Sequence, residues 1–246
     1  MPPASPVERG AFEGFLDVSA IAPRIKGDRG ADRGFIAGRS GAGKSFLARR
    51  LLTTYENRDY TSTEFRGLIF IIDANGTFDY PAKREFETVD DVRFDRKADV
   101  YRYVPRQDQT TALKWNELWE KLFAYNGPLM TYVDETRAME PVFSSSRHFE
   151  RGNFLFAYLT RGRARQKAAL LGAQRPVLIP RDIIGQAEWF YVFDLPVEDD
   201  RITIAGTIGR YSVDGEDIRD RKSLKRFEFW FKGPDLADPI KAQVVR

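Results

Sequence analysis

The chain has 246 residues, with 39 Lys+Arg against 36 Asp+Glu, 42 % hydrophobic and 30 % charged. That balance excludes disordered and collagen-like chains, and the length allows one full core burying roughly 70–75 % of the unfolded surface. Zero cysteines exclude a disulfide framework, thiol catalysis and Cys-ligated metal, and a single histidine, His148, argues against a His-rich metal site or a Ser–His–Asp triad.

Residues 1–33, rich in Pro and Gly, are expected to lead into the core as an arm or edge hairpin. The opening MPPASPVERG lacks the apolar stretch of a secretory leader, and no apolar run reaches the roughly 18–20 residues of a membrane span. Residues 34–200 read as the core. Buried strands are expected at Gly34–Ala37, Leu68–Asp73, Leu129–Asp134, Ala168–Ala173 and Trp189–Leu195. Lys44–Tyr55, Trp115–Tyr125 and Asn153–Gln166 have helical spacing. This alternation predicts an α/β fold with a parallel sheet. Residues 201–246 are expected to add a small C-terminal β extension of the same domain, with strands over Ile202–Ile208 and Arg226–Phe231.

The strongest local pattern is Gly38-Arg-Ser-Gly-Ala-Gly43-Lys44-Ser45, a full G-x-x-x-x-G-K-[ST] match between an expected strand and an expected helix. Glycines let the backbone wrap close to phosphate with successive N–H groups turned inward, and the positive end of the following helix adds to that field. The candidate nucleotide-binding set is therefore Gly38, Arg39, Ser40, Gly41, Ala42, Gly43, Lys44, Ser45 and Phe46. Lys44 would reach the β- and γ-phosphates of ATP, and the Ser45 hydroxyl would ligate Mg²⁺.

Leu129-Met-Thr-Tyr-Val-Asp134-Glu135 is an apolar strand ending in two carboxylates, 90 residues after Lys44. Asp134 would hold Mg²⁺ through water, and Glu135 would polarise a water for attack on the γ-phosphate. Two side chains are needed, because a carboxylate committed to the metal is a poor base. The adjacent pair favours a hydrolase over a nucleotide kinase or a GTP switch. Gln174 at the end of the fourth strand either touches the γ-phosphate or caps the strand before Pro176. Asp73 either caps a turn or joins the site.

Charge is segregated along the chain. Of 28 Arg and 11 Lys, eight basic groups and one acid fall in residues 147–181, whereas residues 182–220 hold three basic groups and ten acids. Either a polyanion or a charge-matched neighbouring subunit accounts for the split, or two solvated faces partly neutralise each other.

With these strand ends the chain resembles the FtsK–HerA superfamily of P-loop ATPases, and most of all its small viral genome-packaging members. The resemblance covers residues 34–195. It rests on Gly38–Ser45, Leu68–Tyr80, Leu129–Glu135, Arg161-Gly-Arg163, and above all Gln174-Arg-Pro with Ile179-Pro-Arg-Asp-Ile-Ile and Trp189-Phe-Tyr-Val-Phe-Asp-Leu. It implies a RecA-like (ASCE) core with a central parallel sheet of order 5-1-4-3-2 and helices on both faces. It also implies Glu135 as catalytic base, Gln174 as sensor, and a homo-oligomeric ring, pentamer or hexamer. Arg163, with Arg161 as the alternate, would complete the neighbouring subunit's site. A stripped core of this length matches the packaging enzymes, so double-stranded DNA and capsid, portal or vertex proteins are the implied partners, in host cytoplasm or virion. In the polar link 136–152, Arg147, His148 and Arg151 are candidate contacts to DNA phosphates, or part of an ordinary surface loop. The rival readings are a nucleotide-gated scaffold without translocation and a HerA-like cellular DNA-processing ATPase.

Overall fold

The structure, a computed structural model, describes residues 18–26, 30–57, 66–95, 99–144, 152–208, 212–213, 216–217 and 224–244. Its strands in chain order are β1 (Ile25–Lys26), β2 (Gly30–Ala31), β3 (Arg33–Ala37), β4 (Leu68–Ile72), β5 (Arg84–Phe86), β6 (Val100–Tyr103) and β7 (Leu129–Val133). There follow β8 (Lys167–Ala173), β9 (Trp189–Val192), β10 (Ser212–Val213), β11 (Glu216–Asp217), β12 (Glu228–Lys232) and β13 (Ile240–Gln243). The described residues divide into two compact units, 18–23, 34–57 and 173–244 in the first and 24–33 and 66–172 in the second.

In the first unit the strand order is β13-β12-β9-β3. β9 runs parallel to β3, pairing Gly34 with Trp189 and Ala37 with Val192, while β12 is antiparallel to both β9 and β13. β3 and β9 are buried along their whole length, which is why both read as unbroken apolar runs. The helix Lys44–Asn57 follows β3 and buries Leu47, Ala48, Leu51, Leu52 and Tyr55, a stripe at helical spacing.

In the second unit five strands run in the order β8-β7-β4-β6-β5, every pair parallel. The helix Ala112–Ala124 opens on Thr111, whose hydroxyl accepts the Lys114 N–H at 3.3 Å, and packs Trp115, Leu118, Trp119 and Leu122 into the core. Ahead of β3, β1 and β2 pair antiparallel, with Ile25 opposite Ala31. No helix among the described residues is long and apolar enough to cross a membrane.

The architecture is mixed α/β, and its order and size depart from the five-stranded expectation. β6 and β5 extend the second unit beyond β4, and β12 and β13 extend the first beyond β9. The former pair is short and charged at Arg84, Glu85 and Arg102, which hid it among loop residues.

Two further expectations need correction. Ile202–Ile208 is not a strand: it lies in the helix Glu198–Ile208. The alternating residues look like period two, yet Ile202 is 49 % exposed while Asp200, Ile204 and Ile208 are buried, a four-residue period. Three acids in the first turn, Glu198, Asp199 and Asp200, suit a helix N-terminus. Residues 201–246 are therefore not wholly a β extension. The helix expected over Asn153–Gln166 runs only over Phe154–Arg161. It gives way at Gly162 to a 3₁₀ turn, Arg163–Arg165, closed by Gln166 at φ 59°.

Candidate functional site

In the first unit, β3 delivers the chain directly into residues 38–45. The Gly38 N–H donates to the Ala173 carbonyl at 3.1 Å, and the Arg39 N–H to the Asp194 carbonyl at 2.9 Å, so the loop starts pinned to two residues of its own unit. Arg39 also pairs with the Asp194 carboxylate at 2.6 Å. Glycine is obligatory at Gly38 and Gly43, whose φ values are 154° and 122°. A Cβ on Gly38 would stand 2.5 Å from Phe193 Cβ, and one on Gly43 2.8 Å from Phe227 Cδ1. The helix begins at Lys44, a largely buried residue whose ammonium donates to the Arg39 carbonyl at 3.1 Å. Glycines in the left-handed region, a helix N-terminus and a cation tethered within the curve together fit a polyphosphate. Ser45 is exposed at this turn, and Phe46 packs its ring 5.3 Å from that of Phe227.

Gln174 lies one residue beyond the carbonyl that holds Gly38, exposed at the tip of β8. The next residue, Arg175, donates from Nε to Asp200 at 2.7 Å. Asp200 is buried and also accepts the Val177 N–H at 3.0 Å, tying the turn after Gln174 to the helix Glu198–Ile208.

In the second unit, β7 ends at Val133 and the Asp134 N–H donates to the Ile72 carbonyl at 3.0 Å. The buried Tyr132 hydroxyl donates to Asp134 Oδ1 at 2.7 Å, fixing that carboxylate. Burial first, and the Asp134 charge second, push the Tyr132 hydroxyl well above its ordinary pKa, so it remains a donor. Glu135 Oε1 accepts the Arg137 N–H at 3.3 Å and caps the 3₁₀ turn Thr136–Met139. Behind Asp134, a Cβ on Gly172 would come 2.5 Å from the Asp134 carbonyl oxygen. Tyr132 and Gly172 escaped the sequence reading, although a glycine inside an apolar strand signals close backbone approach.

Asp73 closes a turn. Its carboxylate accepts the Thr77 and Phe78 N–H groups at 3.1 and 2.9 Å, and Arg102 Nη2 donates to it at 2.7 Å. Arg161 and Arg165 hold their guanidinium carbons 5.7 and 4.5 Å from the Phe123 ring centroid. Arg163 instead packs on β2, where a Cβ on Gly30 would meet Arg163 Cγ at 2.5 Å. The link after Glu135 carries the helix Glu140–Ser144. Arg147, His148 and Arg151 lie outside the described residues.

A buried cation at the opposite end of β8 was not foreseen. Lys167 donates to the Tyr125 carbonyl at 2.7 Å and to that of Gly127, closing the turn after the helix Ala112–Ala124. Burial, with a smaller push from Arg165, lowers its ammonium to about 8.

No protein-family model matches the sequence, and neither does any curated protein. Solved structures do match. The genome packaging NTPase B204 from Sulfolobus turreted icosahedral virus 2, in complex with sulfate, is 14 % identical over 87 % of this chain and 97 % of that one, with a TM-score of 0.61. VirB4 of Thermoanaerobacter pseudethanolicus is 11 % identical over 95 % of this chain and 98 % of that one, with a TM-score of 0.64. The pCW3 conjugation coupling protein TcpA is 14 % identical over 86 % of this chain and 59 % of that one, with a TM-score of 0.52. The fold of this chain is therefore similar to the one these solved structures carry.

Proposed function

We propose that the protein is a Mg²⁺-dependent ATPase that translocates double-stranded DNA, as a subunit of a viral genome-packaging motor. The observation that carries this reading is the loop 38–45 itself, with Lys44 buried on the Arg39 carbonyl at the head of a 14-residue helix. The genome packaging NTPase of like fold is matched over nearly its whole length, and the same B204 was solved with ATPγS and AMPPCP.

The loop N–H groups and Lys44 bind the β- and γ-phosphates. Ser45 and Asp134 would hold Mg²⁺, which would supply positive charge against the triphosphate. Tyr132 keeps Asp134 oriented. Glu135 takes a proton from water as the water oxygen bonds to the γ-phosphorus. The bond to the bridging β–γ oxygen breaks, and ADP leaves with the electron pair. Gln174 contacts the γ-phosphate. Arg163, with Arg161 as the alternate, enters from a neighbouring subunit and stabilises charge on the transferring group. Arg147, His148 and Arg151 contact DNA phosphates without reading sequence, which suits a motor that must pass any sequence. A pentameric or hexameric ring docked on capsid, portal or vertex proteins, in the host cytoplasm or the virion, follows from this reading.

The deciding experiment measures ATPase rate with and without double-stranded DNA, beside the mass of the assembled species. A motor gives stimulation that rising salt weakens. Hydrolysis indifferent to DNA would point to a nucleotide-gated scaffold. Mixing Arg163→Ala with Lys44→Ala subunits tests the arginine in trans, where partial recovery in mixed rings supports it and none counts against it.

A further inference from the structure

Within the second unit, side-chain contacts run without a break from the edge strands β5 and β6 to the carboxylate after β7. Asp73, fully buried where β4 ends, accepts the Thr77 and Phe78 N–H groups at 3.1 and 2.9 Å. It also accepts Nε and Nη2 of Arg102 on β6, at 3.1 and 2.7 Å. The same guanidinium donates from Nη1 to Glu85 Oε1 on β5 at 3.3 Å. A neutral Asn or Ser would close the turn after Asp73 without burying a charge. The buried carboxylate instead requires a cation, and Arg102 meets that need from a strand beyond β4, fixing the turn to the sheet.

The turn ends on Phe78, whose buried ring lies 4.7 Å from that of Tyr132, tilted by 50°. Tyr80 stacks on Phe78 with ring centroids 6.1 Å apart. Tyr132 is the residue whose hydroxyl donates to Asp134 Oδ1 at 2.7 Å. Two side-chain torsions decide where that hydroxyl lies, and contacts on the ring are what hold them.

We propose that Arg102, Asp73 and Phe78 are positioning residues for Asp134. The ion pair sets the turn, the turn sets the Phe78 ring, and that ring holds the Tyr132 hydroxyl on the carboxylate. The proposal rests on the reading of Asp134 as a residue that holds Mg²⁺. It gives β6, an extension of the sheet, a part in the site.

The test reads metal binding and not turnover. Calorimetry measures AMPPCP binding to the full chain in Mg²⁺ and in EDTA, and the ratio of the two dissociation constants reports how far the metal tightens the nucleotide. The variants are Tyr132→Phe, Phe78→Leu, their double, Arg102→Lys and, as reference, Asp134→Ala. Circular dichroism checks each fold. Arg102→Lys, which keeps the charge but loses the fork on Asp73, carries the test if Phe78→Leu misfolds.

Tyr132→Phe and Phe78→Leu should each cut the ratio roughly tenfold, the lower end of what losing a partner of a metal ligand costs. Arg102→Lys, one contact further away, should cut it about threefold. Affinity in EDTA should stay within about twofold of wild type, since the phosphate loop is untouched. The double variant should fall no further than Tyr132→Phe, because Phe78 acts only through that hydroxyl. A wild-type ratio in Phe78→Leu or Arg102→Lys overturns the proposal. So does a multiplied loss in the double variant, or an equal loss in EDTA, either of which reduces Phe78 to general packing. If Asp134→Ala keeps the wild-type ratio, or Mg²⁺ does not tighten the nucleotide in wild type, the reading of Asp134 fails and the proposal falls with it.

Discussion

The loop 38–45 and the segment 224–228 are in direct contact, yet the chain encodes them in opposite ways. The loop carries its geometry in its own residues. Gly38 and Gly43 stand where φ is positive and where a Cβ would collide, and Lys44 reaches back only five residues to its carbonyl partner. The segment has no such signature. Phe227 sits at φ 71° with no glycine to ease it, and it is held by Ala42, Gly43, Phe46 and Val244. A local conformational demand leaves a mark in the sequence, whereas a conformation imposed by tertiary packing leaves almost none.

The largest expected effect lies on the locally encoded side. Glu135 caps its own turn two residues on, and in the proposed reaction it is the base. Glu135→Gln keeps an acceptor for the Arg137 N–H but removes the base. ATP hydrolysis should fall about 10²–10⁴-fold, the usual scale for a lost general base, with nucleotide affinity retained. Single-turnover hydrolysis read beside nucleotide binding checks both halves, and wild-type hydrolysis in this variant would sink the mechanism.

Much of the fold was legible for the same reason. β3, β4, β7, β8 and β9 are buried along most or all of their length, so each shows as an apolar run that needs no partner to be seen. The helix Glu198–Ile208 was misread because Ile202, Ile204 and Ile208 alternate with small or polar residues. Only the burial of Asp200 by the Arg175 turn reveals which face points inward. β5 and β6 stayed hidden because Arg102 owes its place in a strand to Asp73, 29 residues earlier. Lys167 at the start of β8 likewise finds its partners at Tyr125 and Gly127, about forty residues back. In the candidate site the loop and both carboxylates were visible, while Tyr132 and Gly172 were not. Both depend on what packs behind or beside them.

Arg175 tests the tertiary side at intermediate size. Its pair with Asp200 spans 25 residues, and the carboxylate is buried whereas the guanidinium is 44 % exposed. Removing Arg175 leaves a buried carboxylate with the Val177 N–H as its remaining partner in the turn. Arg175→Ala should cost about 2 kcal/mol, the scale of a hydrogen bond to a charged group with its exposed partner already solvated. Asp200→Asn, which keeps an acceptor for Val177, should cost less. Denaturant unfolding of both variants ranks them, and the reverse order would mean that the helix N-terminus, not the arginine, sets the carboxylate.

The smallest effect is the sharpest on Phe227. In ordinary extended backbone, alanine is more stable than glycine by roughly 0.5–1 kcal/mol, because glycine loses more freedom on folding. At φ 71° the order inverts, since a Cβ in the left-handed region costs about 1–2 kcal/mol. Phe227→Ala and Phe227→Gly both delete the ring from Gly43 and Phe46, so the lost packing cancels between them. What remains is the backbone preference, and Phe227→Gly should be the more stable of the two by about 1 kcal/mol. Chemical denaturation of the pair reads that difference directly. Alanine above glycine would show that the chain at 227 takes an ordinary strand conformation. The segment 224–228 would then not need its tertiary contacts with the loop to hold Phe227, and the contrast between the two regions would collapse to one of sequence composition alone.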